Sequence, residues 1–346
     1  MKIGIIGELY AGKTTLLDAL RPEPEKPDRQ RTNMVVVKIE DKRVKHLAQL
    51  HCLDKMVFLE LCFVDIQEGR AGSLAESMPD IKEMDALVAV LRAFENPRAP
   101  SPPKGIDPLR DLKELEVELQ LADLMLVEKR LERLKKEHAK GLELDTLQKA
   151  WDILTAGTPL RLQTWLVEEA RIMAGFRFAS LKPLLVIINV GEEGYLNDKR
   201  KGLIEFVGAQ QLPLLEICWE WEKEIAGLPV AERAEFSQEL GLTVSGRDKL
   251  INACMDMLLI ISFITIGAHE VRAWAIRDGT MAVEAAGQVH SDMQRGFIRA
   301  EVINYARFEE SNLKSLTEAK KRGEIRLEGK EYIVKDGDII NFRFHV

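Results

Sequence analysis

The sequence predicts an α/β protein built on a doubly wound sheet, and three groups of apolar residues lead to this fold class. "KIGII" at residues 2–6 is typical of a short buried parallel strand, and helical spacing of leucines follows it closely. "NMVVVKI" at 33–39 and "MVFLELCFVD" at 56–65 are further strand-like runs that alternate with helix-like ones. The pattern resumes at "PLLVIINV", residues 183–190, so an insertion is expected between the parts of the sheet.

The segment "GELYAGKT", residues 7–14, matches a phosphate-binding loop between a strand and a helix. Glycines let backbone N–H groups approach a polyphosphate where a helix N-terminus presents its own unpaired donors. We expect Lys13 to contact the β and γ phosphates as the catalytic cation, and the Thr14 hydroxyl to ligate Mg²⁺. The predicted phosphate-binding residues are Gly7, Ala11, Gly12, Lys13, Thr14 and Thr15.

Two later strands end in polar residues suited to the same site. Asp65 ends a buried strand at the position of a magnesium-facing acid. Asn189 and Glu192 take the places of the first and last residues of the NKxD motif that reads guanine in guanine-nucleotide switches. Glutamate is one methylene longer than aspartate, so we expect weaker selection of guanine. Alternatively, Asn189 caps a loop and Glu192 is solvated.

A helical hairpin is predicted between the two parts of the sheet. Prolines in "ENPRAPSPPKGIDP" break regular structure, and a charged helical stretch follows. A second helix, "LELDTLQKAWDIL", can pair back across a turn at Gly141. We therefore expect residues 108–175 to be a helical insertion in a nucleotide-binding domain of residues 1–277. The first helix carries two apolar stripes, one with Leu112, Leu115, Leu119 and Ala122, the other with Leu124, Val127, Leu131 and Leu134.

The C-terminal part changes character. "MLLIISFITIGA", residues 257–268, is too short to span a membrane and indicates a buried helix leading into a buried strand. "GEIRLEGKEYIVKDGDIINFRFHV" alternates short strands with glycine turns and predicts a small β-rich interaction module without catalytic residues.

Composition limits the class of protein. Of 346 residues, 46% are hydrophobic, enough for more than one folding unit, and the net charge of −7 provides no global basic field for nucleic acid. The local run "KRLERLKK" is interleaved with glutamate and indicates a solvated helix face more than a nucleic-acid patch. The four cysteines form no CxxC pair, and no signal peptide is recognised, so we expect a cytoplasmic protein that does not enter a membrane.

These segments together resemble the YchF branch of the Obg-related NTPases, the Obg-like ATPases. The resemblance runs from the phosphate loop to the last residue and is carried by "NMVVVKIEDKRV", "DPLRDLKELEVELQLADL" and "LKPLLVIINVGEEG". The most specific segment is "HEVRAWAIRDGTMAVEAAGQVHSDMQRGFIRAEV". The sequence is therefore identified as a divergent member of this family.

The resemblance implies a Ras-like P-loop nucleotide domain, a coiled-coil arm formed by the insertion, and a β-grasp TGS domain at residues 278–346. It also implies that the Asn189–Glu192 loop belongs to an NxxE type associated with ATP use, with GTP as a further ligand and Mg²⁺ as cofactor. Family members associate with ribosomes, so a ribosomal RNA or protein partner is expected. We expect the protein to be a monomer.

The sequence departs from the family pattern in the switch regions. Arg29 stands where the first switch has a threonine, and "DIQEGR" stands where the family has "DIAGLV", with Glu68 and Arg70 among the changes. The "SAK" base-clamping motif is matched only by "CWE". Cys218 and Trp219 are therefore predicted base-binding residues, with Trp219 offering a surface on which any purine could stack.

Two functions remain open from the sequence. The intact "GKT" favours a slow ATP or GTP hydrolase that cycles on and off the ribosome. The altered switches favour a scaffold that binds nucleotide, or nothing, and acts through its arm and TGS domain. A small-molecule kinase is a third possibility, but the sequence shows no acceptor site.

Overall fold

The computed structural model describes residues 1–21, 33–67, 74–96, 104–192 and 200–345. The chain divides into two units, residues 1–37 with 62–254 and residues 38–61 with 255–346. Each unit is built around one six-stranded sheet among the described residues. The second unit thus draws a segment from the N-terminal third of the sequence.

The strands and helices of the two units are numbered in chain order. The strands are β1 (Lys2–Ile6), β2 (Met34–Ile39), β3 (Lys55–Val57), β4 (Leu59–Asp65), β5 (Ala86–Ala93), β6 (Leu184–Val190), β7 (Leu214–Ile217), β8 (Ile260–Ile266), β9 (Glu270–Arg277), β10 (Phe297–Asn304), β11 (Arg326–Glu328) and β12 (Asp338–Phe344). The helices are α1 (Lys13–Leu20), α2 (Lys42–Leu50), α3 (Met78–Lys82), α4 (Pro108–Lys136), α5 (Leu142–Thr155), α6 (Val167–Phe176), α7 (Arg200–Ala209), α8 (Trp219–Gly227), α9 (Val230–Glu239), α10 (Gly246–Met257), α11 (Ala282–Val289), α12 (Ser291–Arg295), α13 (Tyr305–Glu310) and α14 (Leu316–Lys321).

The sheet of the first unit brings the ends of several parallel strands together. Its order is β2-β4-β1-β5-β6-β7, and β1 pairs in parallel with both β4 and β5. The pairs β5/β6 and β6/β7 are also parallel, and β5 is buried along its whole length. The predicted α/β class is confirmed. Because parallel strands end at the same edge, Gly7, Asp65 and Asn189 arrive at one edge of this sheet.

The helix α4 belongs to two apolar cores. Its first half packs Leu112, Leu115 and Leu119 into the cluster that contains buried residues of β5 and β6. Its second half packs Val127, Leu131 and Leu134 against residues of α5. The turn to α5 passes through Gly141 at φ 118°, a conformation that L side chains rarely adopt. The two stripes seen in the sequence therefore face two different partners.

Asp123 lies on α4 between these two cores. It is 1% exposed, and its carboxylate accepts hydrogen bonds from the backbone N–H groups of Ala179 (2.9 Å) and Ser180 (2.7 Å). Burial raises the pKa of this carboxyl, while the hydrogen bonds to Ser180 and Ala179 act in the opposite direction. The side chain thus fixes the segment that enters β6 onto the middle of α4.

The second unit contains the β-rich C-terminal part and a segment from far upstream. Its sheet has the order β11-β10-β12-β8-β9-β3, with β8/β9 and β10/β12 antiparallel. Phe263 of β8 packs edge-on against Phe342 of β12, with ring centroids 5.8 Å apart. The predicted domain boundary before residue 278 falls inside this unit, directly after β9.

The long apolar run at 257–268 contains the last residue of α10 and all of β8. Leu259 separates them with φ 51°, which ends the helix. Within the described ranges, no helix is long and apolar enough to cross a membrane.

We predict that Asp123→Ala lowers the free energy of unfolding of the first unit by about 2–4 kcal/mol, because two buried N–H groups lose their acceptor. Asp123→Asn keeps one acceptor oxygen and should cost less. Urea unfolding followed by circular dichroism measures both. A loss below about 1 kcal/mol in the alanine variant would contradict the capping role.

Candidate functional site

The glycine-rich loop joins β1 to α1 in a conformation that depends on two glycines. Gly7 has φ 143°, and a Cβ atom there would overlap the carbonyl oxygen of Val90 on β5. Gly12 precedes α1 with φ 99°, and a Cβ atom there would overlap the side-chain nitrogen of Asn189. Both positions therefore need a residue without a side chain, for reasons of space as well as backbone conformation.

Lys13 begins α1 and turns its side chain back over the loop. Its Nζ donates hydrogen bonds to the carbonyl oxygens of Gly7 and Glu8, the second at 2.9 Å, and the residue is only 9% exposed. A plain solvated lysine in a glycine turn does not fit this geometry. The ammonium is held within reach of the loop, where its charge can act on a bound anion.

Asp65 and Thr14 form an oxygen-rich pair beside Lys13. Asp65 ends β4, and its carboxylate hydrogen-bonds to the Thr14 hydroxyl. Burial raises the pKa of Asp65, whereas the charge of Lys13 and the Thr14 hydrogen bond act in the opposite direction. The buried Oδ1 of Asp65 has no hydrogen-bond partner among the described residues. An orphaned carboxylate oxygen next to a hydroxyl is a donor set that fits Mg²⁺.

The donor set is small. No group of three or more histidine, cysteine or acidic side chains that could hold a metal occurs in the part of the chain that the structure describes. Mg²⁺ keeps several waters and is commonly bound through one or two protein ligands together with substrate phosphates. A site with Asp65 and Thr14 is therefore suited to a metal that arrives with a phosphorylated ligand.

The side chain of Asn189 connects three segments at the end of β6. Its Nδ2 donates to the carbonyl oxygen of Ala11 (2.9 Å), and its Oδ1 accepts from the backbone N–H of Trp219 (3.3 Å). The residue is buried. Asn189 thus joins the phosphate loop to the loop that enters α8, in addition to its predicted place next to a base.

Trp219 differs from its predicted position. Its side chain is 0% exposed and does not line the cavity at the sheet edge. Trp219 is the first residue of α8. Because α8 packs against α1, the indole ring lies in the protein interior. The stacking surface expected from the sequence is therefore not presented in this structure. Cys218 and Glu220, on either side of Trp219, do line the cavity.

The cavity at the sheet edge has a volume of about 970 Å³, which is large enough for a nucleotide. Among the predicted site residues, Gly7 and Trp219 do not line it. The predicted residues that do line it are Ala11, Gly12, Lys13, Thr14, Thr15, Asp65, Asn189, Glu192 and Cys218. Arg29, Glu68 and Arg70 lie outside the described residues.

Sequence reasoning missed part of the lining. Phe94, Glu95 and Asn96 follow β5, and Gln67 follows β4. The sequence "AFEN" was available as a signal, because a strand next to β1 must also end at this edge. Without the strand order, β5 could not be placed beside β1.

A second, small cavity of about 90 Å³ lies between the phosphate loop and α4. Its lining includes Glu8 of the loop and Asp111 of α4. The Arg110 guanidinium donates to Asp111 Oδ1 at 3.1 and 2.7 Å, but burial dominates and raises the pKa of Asp111 to about 6, with the nearby Glu8 adding to the rise. Glu118 lies seven residues after Asp111 on α4, and its carboxylate accepts a hydrogen bond from the backbone N–H of Leu74 (2.7 Å). Helix α4 therefore contacts both the loop and the segment downstream of β4.

Comparison with known proteins gives a consistent result. A family model described as YchF-GTPase_C, a protein of unknown function (DUF933), matches residues 260–345. The Ribosome-binding ATPase YchF of Haemophilus influenzae is 35% identical over 363 residues, which cover 100% of this chain and 99% of that protein. The Ribosome-binding ATPase YchF of Bacillus subtilis is 32% identical, with 99% of each chain covered.

The fold agrees with the sequence comparison. The structure of the Schizosaccharomyces pombe YchF GTPase superimposes with a TM-score of 0.85 at 25% identity, covering 99% of this chain and 97% of that one. The molecule is thus an α/β protein with a glycine-rich loop and a large cavity at the end of its parallel strands. Because this chain is more than 30% identical to these two YchF proteins over nearly its full length, it belongs to the YchF family.

We predict that the contribution of Asp111 to the free energy of unfolding falls as the pH rises from about 4 to 6. The folded state keeps this proton up to a pKa of about 6, whereas the unfolded chain releases it near 3.8. At this site the folded state therefore binds more protons in this window, and the Asp111 contribution to the unfolding free energy must fall as the pH rises.

Asp111→Asn tests this linkage. The variant should gain stability over the wild type as the pH rises from 4 to 7, by at most about 3 kcal/mol for a shift of roughly two pKa units. Asp145→Asn, at an exposed position on α5, is the matched control. Urea midpoints at several pH values measure the difference. Parallel curves for wild type and Asp111→Asn would exclude the linkage.

Proposed function

We propose that this protein is a magnesium-dependent ATPase, able to use GTP as well, that acts in association with the ribosome. The observation that carries the proposal is the cavity of about 970 Å³ in which the glycine loop, Lys13, Thr14 and Asp65 meet Asn189 and Glu192. The relatives at 35% and 32% identity are named ribosome-binding ATPases, which supports the same activity and partner here.

The phosphate end of the ligand would bind at the loop. The first N–H groups of α1 have no intrahelical partner, and Thr14 and Thr15 of this turn line the cavity, so these donors suit phosphate oxygens. Lys13 would exchange its hydrogen bonds to the Gly7 and Glu8 carbonyls for contacts to the β and γ phosphates. This arrangement favours binding of a nucleoside triphosphate and lowers the barrier to phosphoryl transfer by stabilising negative charge.

Thr14 and Asp65 would hold Mg²⁺. The ion would neutralise charge on the β and γ phosphates as they separate. The described lining contains four carboxylates, Asp65, Glu95, Glu192 and Glu220, and one lysine. A polyphosphate without a metal would meet net negative charge there, so we expect strong magnesium dependence.

The base would lie toward Glu192 and Cys218. Glu192 is exposed at the cavity wall. The Asn189 side chain, by contrast, is fixed by hydrogen bonds to the backbone of Ala11 and of Trp219. Trp219 would have to leave the interior to stack on a purine, so base selection falls mainly on Glu192, Cys218 and Glu220.

The remaining parts of the chain would contact the ribosome. We assign the helices of residues 108–175 as the coiled-coil arm inserted into a Ras-like P-loop domain of residues 1–277, and residues 278–346 as the TGS domain. Packing of α4 on α5 supports the arm, and the antiparallel strands β10–β12 support the TGS assignment. The protein would act as a cytoplasmic monomer with ribosomal RNA or protein as its partner.

The altered second switch favours one alternative, a scaffold that binds nucleotide without hydrolysing it. Glu68 takes the place of the glycine whose N–H contacts the γ phosphate in related switches. Binding of labelled ATP and GTP to the purified protein, with and without Mg²⁺, followed by phosphate release, separates the two functions. Binding without release would support the scaffold, and the absence of binding would contradict both. Sedimentation with purified ribosomes in ATP and in ADP tests the partner.

We predict that Lys13→Ala weakens ATP binding at least about tenfold, or 1.4 kcal/mol, because the phosphate oxygens lose their cation. The apolar core should stay intact, but loss of the hydrogen bonds to the Gly7 and Glu8 carbonyls should lower the thermal unfolding temperature by a few degrees. Lys129→Ala, at an exposed position on α4, is the matched control and should bind ATP as the wild type does. Fluorescence titration with a labelled ATP analogue gives the affinities. Equal affinities for the two variants would mean that Lys13 is not part of the site.

We predict that ATP binds at least as tightly as GTP and that the preference stays below roughly a hundredfold, about 3 kcal/mol. The longer carboxylate of Glu192 is displaced from the geometry that reads the two N–H donors of guanine, so a site of this kind loses discrimination. Glu192→Asp should shift the ratio toward GTP. Competition titrations measure it, and a GTP preference of several orders of magnitude in the wild type would contradict this account.

A further inference from the structure

Gln67 carries a carboxamide side chain in the lining of the cavity, and the binding functions described above do not use it. It lines the cavity two residues after Asp65 and is exposed to it. In the family pattern "DIAGLV" this position holds alanine, so the side chain is a feature of this chain.

The backbone on both sides of Gln67 is anchored. Ile66, the preceding residue, is buried and donates its N–H to the carbonyl oxygen of Ile5 on β1 at 3.0 Å. The carbonyl oxygen of Gln67 accepts a hydrogen bond from the Ser77 hydroxyl, and Ser77 is itself buried. The side chain therefore leaves a backbone that is fixed relative to β1 and the phosphate loop, as a group that must position a small molecule requires.

Other carboxamides in the described lining are less suited to the phosphate end. Asn189 is held by Ala11 and by the backbone of Trp219. Asn96 follows β5, on the opposite side of β1 from β4. Gln67 lines the cavity two residues after Asp65, and Asp65 hydrogen-bonds to Thr14 at the loop where the terminal phosphate of a nucleotide would lie.

We propose that Gln67 is a catalytic residue of the ATPase and orients the water that attacks the γ phosphate; this proposal rests on the function proposed above. A carboxamide is suited to the task because its oxygen accepts a hydrogen bond from water while its NH₂ group donates to a phosphoryl oxygen. A glutamine orients the attacking water in Ras and Gα proteins, although that glutamine occupies a different position of the loop.

The reaction balances with water as the only co-reactant. The water oxygen forms a bond to the γ phosphorus, and the bond from that phosphorus to the β,γ-bridging oxygen breaks. Its electron pair goes to the departing ADP. The proton released by water ends on inorganic phosphate or in solvent. Gln67 does not change its own protonation state and acts only by holding the water in line.

Gln67→Ala tests the proposal, with Gln238→Ala as control for loss of an exposed glutamine on α9. Single-turnover phosphate release with saturating Mg²⁺-ATP gives the rate of the chemical step, and titration with a labelled ATP analogue gives the affinity. We expect the Gln67→Ala rate to fall at least about tenfold with affinity within about twofold, the signature of an interaction made only in the transition state. Gln238→Ala should match the wild type in both measurements.

A second readout does not depend on turnover. ADP with aluminium fluoride imitates the transferring phosphoryl group, so Gln67→Ala should weaken its binding while leaving the affinity for ADP unchanged. Normal wild-type turnover with an unchanged Gln67→Ala rate would overturn the role of Gln67 alone. Wild-type protein that binds ATP and releases no phosphate would instead overturn the proposed hydrolysis, and the role of Gln67 with it.

Discussion

The contact between Gly12 and Asn189 is the constraint on which the geometry of the site depends. Gly12 leaves no space for a Cβ atom because the Asn189 side chain lies against it. That proximity allows the Asn189 amide to bond to the Ala11 carbonyl and to the Trp219 N–H at once. One small residue and one amide therefore hold together the ends of β1 and β6 and the start of α8. Three loops that are far apart in sequence become one wall.

Helix α4 connects several parts of the first unit because of its length. The same helix supplies core residues under the sheet, an acid beside the phosphate loop, an acceptor for the Leu74 N–H, and one half of the helical hairpin. All these contacts are made by one uninterrupted helix of 29 residues. Through Glu118, Leu74 is hydrogen-bonded to the helix whose second half forms the hairpin.

The sequence was sufficient for those parts of the fold that depend on local patterns. The phosphate loop, the strand ending in Asp65 and the two stripes of α4 each carry a signal within a few residues, and the structure has them where the patterns indicate. Burial of Trp219 could not be read in the same way, because an aromatic residue after a strand can face either the ligand or the neighbouring helix. Only the packing of α8 on α1 decides between these.

Pairing between strands that are far apart in sequence could not be predicted from local patterns either. Strand β3 and helix α2 belong to the second unit, where β3 pairs in parallel with β9 more than two hundred residues away. The carbonyl partners of Lys13 are similarly a property of the closed loop and not of its spacing. A helix-starting lysine reads as exposed in sequence, whereas its ammonium here satisfies carbonyl oxygens that the loop turns inward.

The charges of the cavity give the ligand a direction. Lys13 is the one cation among the described lining residues, and it stands at the loop, whereas Glu95 and Glu192 follow β5 and β6 and Glu220 is in the first turn of α8. A polyphosphate is attracted to the loop and repelled from the far side, while the N–H donors of a purine suit the carboxylates there. Because both effects favour the same orientation, binding in reverse is opposed twice. On the proposed function, the departures from the guanine-reading pattern would alter which base is preferred without changing the direction in which a nucleotide binds.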